Sequence, residues 1–244
     1  MTPPVYDTAA SPERVAARSS APVGVGPLGV SRPRAVGRRD RTDRRTWRAA
    51  RGILWLALAV QAGWFLLNGL VLHHAPGLDA IGVSIACGVA AFAVGSQRWT
   101  WLAVLLRTIM AADFLLAVAD RFGFLGAYGS PGVSWGDFGH FVHYTGTVAA
   151  FLPARLAPTL AVAATAAEIT LGFALLLGLR LRLAALGIAA LLAVYGISMS
   201  ISLPPAQQFH YSVFLLCAAM LNLSRLDSPF TVDRVLARAG DEDS

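Results

Sequence analysis

Lysine is absent from this chain of 244 residues, in which all 20 basic side chains are arginine. Charge of either sign is scarce, at 14% of residues against ~25% in soluble domains. With 56% hydrophobic residues and a mean hydropathy of +0.58, that balance argues against a water-soluble globule. Cysteine is rarer still. Cys87 and Cys217 both fall inside apolar runs and form no C-x-x-C, which argues against paired-thiol oxidase chemistry and leaves them as small apolar fillers. No nucleotide, haem or cysteine motif is present that would carry hard chemistry alone, so the chain is not expected to be catalytic on its own.

The charge that is present is unevenly placed. The net charge is +6, and 11 of the 20 Arg lie in residues 1–51, where they face only Asp7, Glu13, Asp40 and Asp43. These residues precede an apolar wall rather than lining a folded surface, so nucleic acid is not an expected partner. Residues 1–51 read as a disordered Arg- and Pro-rich arm with a helical lead-in from about Thr42, suited to anionic lipid. A cleavable signal peptide has its apolar core within about the first 30 residues. Here the first such core starts at Gly52 and no A-x-A-like site follows, so it is expected to be retained.

A bilayer core of ~30 Å needs ~20 apolar residues per helix. Six segments approach this: Gly52–Leu72, Leu78–Gly95, Thr100–Ala119, Leu156–Gly178, Leu183–Leu203 and Pro205–Leu223. Pro76-Gly77, Arg180-Leu181-Arg182 and Pro204-Pro205 punctuate them. The expectation is an all-α polytopic membrane bundle of about six transmembrane helices. It comprises the arm, two N-terminal spans (52–96), a four-helix unit (100–223) with an outer loop at 120–155, and a tail at 224–244. With both termini cytoplasmic, the arm, Arg98, Arg180, Arg182, Arg225, Arg234 and Arg238 share the inner side, and only Arg121 and Arg155 lie outside.

The outer loop carries Gly at 123, 126, 129, 132, 136 and 139, interleaved with aromatics. Its first half reads as turn-rich. From Trp135 the residues Trp135, Phe138, Phe141, Val142 and Thr145 form the stripe of an interfacial helix, with Asp137, His140, His143 and Tyr144 on or near its other face. This is either an aromatic anchor in the interface or a cap over a cavity. All five His (His73, His74, His140, His143 and His210) map to the outer side, a clustering that permits a metal or haem site, but no H-x-x-x-H pair is present and no metal is assigned.

Arg107, Asp113, Asp120 and Glu168 lie in or at the ends of apolar runs. A charge at the centre of a span costs roughly 2.5–3.5 kcal/mol on insertion scales, so such residues face partners. At 1.5 Å per residue, Arg107 lies ~10 Å, Glu168 ~15 Å and Asp113 ~20 Å from the inner end of its span. Arg107 is therefore expected to meet Glu168, either as a register-fixing pair or, with Asp113, as the lining of a polar pocket. Asp113 and Asp120, seven apart, share a helix face leading to the outer loop.

Several of these features come together over residues 101–223, which resemble the DoxX family of small bacterial integral membrane proteins. The likeness rests on "RTIMAADFLLAVADRFG" (Arg107 to Gly123), on the Trp135–Tyr144 stretch followed by Pro153, and on "AAEITLGFALLLGLRLRLAAL", with Glu168, Gly172, Gly178, Arg180 and Arg182. The resemblance implies a four-helix bundle, a bacterial plasma-membrane location and an accessory role beside a membrane oxidoreductase, with quinone as a possible cofactor. The two spans before residue 100 and the arm lie outside it. A small-solute or proton-coupled transporter, and a scaffold acting through the arm, are the other readings; the transporter is disfavoured by the lack of central Pro in the spans.

Overall fold

The computed structural model describes residues 36–68, 80–95, 100–226 and 231–232, with side chains from Thr46 in the first helix and Val83 in the second. The described secondary structure is entirely helical. Its elements are α1 (Val36–Leu66), α2 (Ala80–Gly95), α3 (Thr100–Arg121), α4 (Phe138–Val148), a 3-10 turn at Ala154–Leu156, α5 (Ala157–Leu177), α6 (Leu181–Ser202), α7 (Pro205–His210) and α8 (Val213–Leu223).

Four helical stretches are long and apolar enough to cross a bilayer: Thr46–Leu66, Thr100–Arg121, Ala154–Leu177 and Leu181–Ser202. At 22 residues, α3 is about 33 Å long, matching the hydrocarbon thickness. Outward faces carry Leu105, Ile109, Val162, Leu183, Val194 and Ile197, all exposed, while the inner faces are rich in small residues such as Ala103, Ala111, Ala161, Ala185 and Ala219. Small inner residues let helices approach closely, and an oily exterior is what lipid requires. The protein is membrane-embedded.

Going round the bundle, α1 neighbours α8, then come α6, α5, α3 and α2, which returns to α1. The helices α3, α5, α6 and α8 thus follow one another, and α1 and α2 close the circuit. One end of the bundle, the loop end, carries residues 122–137 and α4, which rests on α5 and α6. The opposite end, the arm end, carries the α5–α6 turn, where Gly178 adopts φ 70° and its N–H caps the last turn through Ala174 and Leu175.

The structure departs from the expected spans at two places. The helix of the arm begins at Val36, six residues before Thr42, and α1 ends at Leu66. The second segment, expected at Leu78–Gly95, forms α2 from Ala80; residues 78 and 79 lie outside the described ones, and the described apolar part is Val83–Gly95. The Pro205–Leu223 segment is not one helix. It breaks at Tyr211–Ser212, where Ser212 has φ 50°, leaving α8 at 11 residues, about 16 Å, or half a bilayer. The break is satisfied from outside: Gln61 of α1, 3% exposed, donates from Nε2 to the Phe209 carbonyl at 2.8 Å, and Trp64 stacks on the Phe209 ring at 4.4 Å. At the arm end Asn222 Nδ2 donates to the Ala50 carbonyl at 2.7 Å, tying α8 to α1 a second time.

Candidate functional site

Thr165 and Glu168 lie three apart on the inner face of α5, and Gly172 follows four residues on along the same stripe. Glu168 sits near the middle of Ala157–Leu177, about 16 Å from its start and about 14 Å from its end. Its side chain is almost fully enclosed, at 1% exposed. From α6, the Tyr195 hydroxyl donates to Glu168 Oε1 at 2.5 Å. From the last residue of α3, Arg121 folds back into the bundle. Its Nη1 donates to Thr165 Oγ1 at 3.0 Å, and its Nη2 lies 2.7 Å from Glu168 Oε2 in an ionic contact not aligned as a hydrogen bond. Three helices therefore meet on one buried carboxylate.

The guanidinium is roofed by aromatic rings. Its Cζ lies 3.6 Å from the centroid of Phe141 and 5.0 Å from that of Trp135, while Trp135 meets Phe141 edge-on at 5.2 Å. Cation–π attraction strengthens when water is excluded, and Arg121 is 3% exposed. Asp120, the neighbour of Arg121, turns the other way. Its carboxylate accepts the backbone N–H groups of Ser134 (2.8 Å), Trp135 (3.1 Å) and Gly136 (3.1 Å), gathering the loop over the bundle end. Gly136 has φ 68° and an added Cβ would collide with the Tyr128 backbone, so glycine is required there.

Trp135 therefore precedes the interfacial helix instead of starting its stripe. The helix begins at Phe138, after Asp137 caps it by accepting the His140 N–H at 2.9 Å. Those hydrogen bonds hold the Asp137 carboxyl below the ordinary carboxylate range. Tyr144 of α4 is half-buried toward the core, and burial, followed by the nearby Tyr211, pushes its phenol up to about 12.

Glu168 pairs with Arg121 and not with the expected Arg107. Equal depth along two helices was not enough, because a long side chain at a helix end can reach inward by more than a turn. Arg107 is buried near the arm end instead, where a Cβ on Gly178 would come within 2.9 Å of Nη1 and 3.0 Å of the Thr231 backbone. Asp113 does not line the Glu168 cluster. Its side chain is exposed on the outer surface of α3. The histidines do not converge: His140 is exposed, with Nδ1 2.7 Å from Asp137 Oδ2 and its ring stacked on Tyr128 at 3.9 Å, His143 is exposed, and His210 is exposed beside Tyr211. His73 and His74 lie outside the described residues, as does Arg98. Among the described residues no three His, Cys, Asp or Glu side chains gather as metal ligands.

Sequence reasoning did not single out Arg121, Tyr195 or Thr165. A signal for Arg121 was available: Arg107, Phe114 and Arg121 recur at seven-residue spacing, which places Arg121 on the inner face of α3 with residues that are buried. Tyr195 offered none beyond a polar tip in an apolar run.

No family model, curated protein or solved structure matches the chain. The cluster's chemistry is therefore what its atoms offer. It provides a carboxylate, a phenol and a guanidinium, close together and sealed from water by two aromatic rings, at a depth where hydrogen bonds and charges act strongly.

Proposed function

We propose that this is a DoxX-like integral membrane protein of the bacterial plasma membrane, acting as an accessory subunit of a redox or quinone-linked complex. The observation that carries the reading is the Glu168 carboxylate, 1% exposed at mid-span and held by Tyr195 and Arg121. An enclosed polar group of this kind suits a ligand with hydrogen-bonding carbonyls at one end and an apolar tail, which describes a quinone. Arg121 Nε, buried with no hydrogen-bond acceptor among the described residues, supplies a donor for such a headgroup, Tyr195 could donate by releasing Glu168, and the aromatic roof supplies a flat apolar wall. Both termini lie in the cytoplasm in this reading, six segments cross, and the Arg-rich arm touches anionic lipid while a membrane oxidoreductase supplies the electrons.

The test is titration of the protein in nanodiscs with a short-chain quinone, read by tryptophan quenching through Trp135. Saturable quenching that Tyr195→Phe and Glu168→Gln each weaken supports the reading. Quenching that is absent, or indifferent to both substitutions, removes it.

One observation favours a small-solute or proton-coupled transporter as the second reading. The α7–α8 break at Ser212 is an interrupted helix within the membrane segment, a feature on which transporters build their sites. Proteoliposomes that take up no solute and dissipate no proton gradient would remove this alternative.

A further inference from the structure

Asp113 stands apart from the cluster. It is the fourteenth residue of the 22-residue helix α3, which places it about 4 Å from the helix midpoint. Its side chain is exposed, on a side of α3 bordered by the exposed Leu105, Ile109 and Leu116. Among the described residues it makes no hydrogen bond and no ion pair. Among the described residues no compensating cation faces it: α5 contributes Glu168, the described side chains of α2 contribute only Cys87, and α4 contributes His140, His143 and Tyr144 at the loop end. On α3 itself, Arg121 is committed to Glu168 and Thr165, Asp120 to the loop backbone, and Arg107 lies near Gly178.

An ionised carboxylate in this position would carry its charge against hydrocarbon with no paired cation among the described residues. The neutral acid avoids that penalty. We propose that Asp113 is a proton-binding site on the bilayer-facing surface of the protein, open to exchange from the membrane side. The ligand is the proton itself, and the site lies beside the inner face of α3, about 80° around the helix from Arg121. The proposal rests on the chain being membrane-embedded and is separate from the quinone assignment.

A hydrophobic carbodiimide tests this directly. The reagent partitions into the bilayer and reacts with the protonated acid: the carboxyl O–H adds across one C=N bond, the acyl group then migrates from oxygen to nitrogen, and nothing leaves. The full chain in liposomes is treated with dicyclohexylcarbodiimide at neutral pH and mapped by mass spectrometry. Expected is a stable N-acylurea on Asp113, roughly tenfold above any on Glu168 or Asp120, which are enclosed and ionically or hydrogen-bond committed. Asp113→Asn loses the adduct, and a water-soluble carbodiimide labels the position poorly. Labelling of Asp113 only in acidic buffer, better labelling by the water-soluble reagent, or no labelling at all, as a covering partner helix would give, each overturns the proposal. Wild-type protein supplies every decisive readout, so a folding defect in the variant does not blur it, and quinone titration remains an independent measurement.

Discussion

At Arg121 a full positive charge lies within the enclosed part of the bundle, and its stability depends on what surrounds it. Removing one member of a buried pair leaves the other uncompensated, typically at a cost of roughly 3–5 kcal/mol, whereas replacing both by apolar groups is often close to neutral. Arg121→Leu is therefore expected to destabilise the protein by that order, and Arg121→Leu with Glu168→Leu by clearly less, measured by denaturant unfolding in mixed micelles. Equal losses in the single and double variants would show that the pair is not coupled. Tyr144 gives a pH dependence of the opposite kind. Its raised value means that the folded state holds the phenolic proton more tightly, so its contribution is fully present below the ordinary tyrosine value and is lost as pH rises through about 12. Tyrosinate absorbance should show one fewer late-titrating phenol in Tyr144→Phe. Asp137 has the reverse sign: its cap on α4 is present above the ordinary carboxylate range and lost as pH falls through its lowered value. Faster exchange of the His140 amide in acid would report that loss.

Among the elements, the loop from Phe122 to Asp137 depends most on a single position. Gly136→Ala must force either φ 68° or the Tyr128 backbone to change, at a cost on the order of 1–3 kcal/mol. The expected result is faster proteolysis within 122–137 with the spanning helices still protected. Gln61→Leu should loosen the α7–α8 break by about 1 kcal/mol through loss of the Phe209 hydrogen bond, seen as faster amide exchange at Ser212. The long helices α3, α5 and α6 were legible in the sequence because apolar runs of ~20 residues leave the backbone no other way to satisfy itself in lipid. The break at Ser212 was not legible. It contains no Gly or Pro, and its satisfaction comes from Gln61, 148 positions away in the chain. The candidate site was half legible for the same reason: Glu168 stands out as a charge in an apolar run, but its partner was chosen by the inward reach of Arg121 and by the rings of Phe141 on α4 and Trp135 in the loop before it, which depth along an isolated helix does not encode.

For the whole molecule, the orientation proposal makes a sharp experiment. Reporter fusions after residue 45, within 124–133 and at the C-terminus should place the first and last on one side of the membrane and the loop on the other. A C-terminus on the opposite side from the arm would mean that the α7–α8 segment turns back rather than crosses. Asp120 and Arg121 also have a consequence for how the loop end and the interior of the bundle are coupled. Adjacent in the chain and oppositely directed, one grips three amides of the loop at the bundle end while the other grips a carboxylate at mid-span. Two consecutive residues thus tie the loop to the interior: any force that drew the loop away from Asp120 would strain the backbone on which Arg121 depends, and a disturbance at the bundle end would reach the ion pair at mid-span.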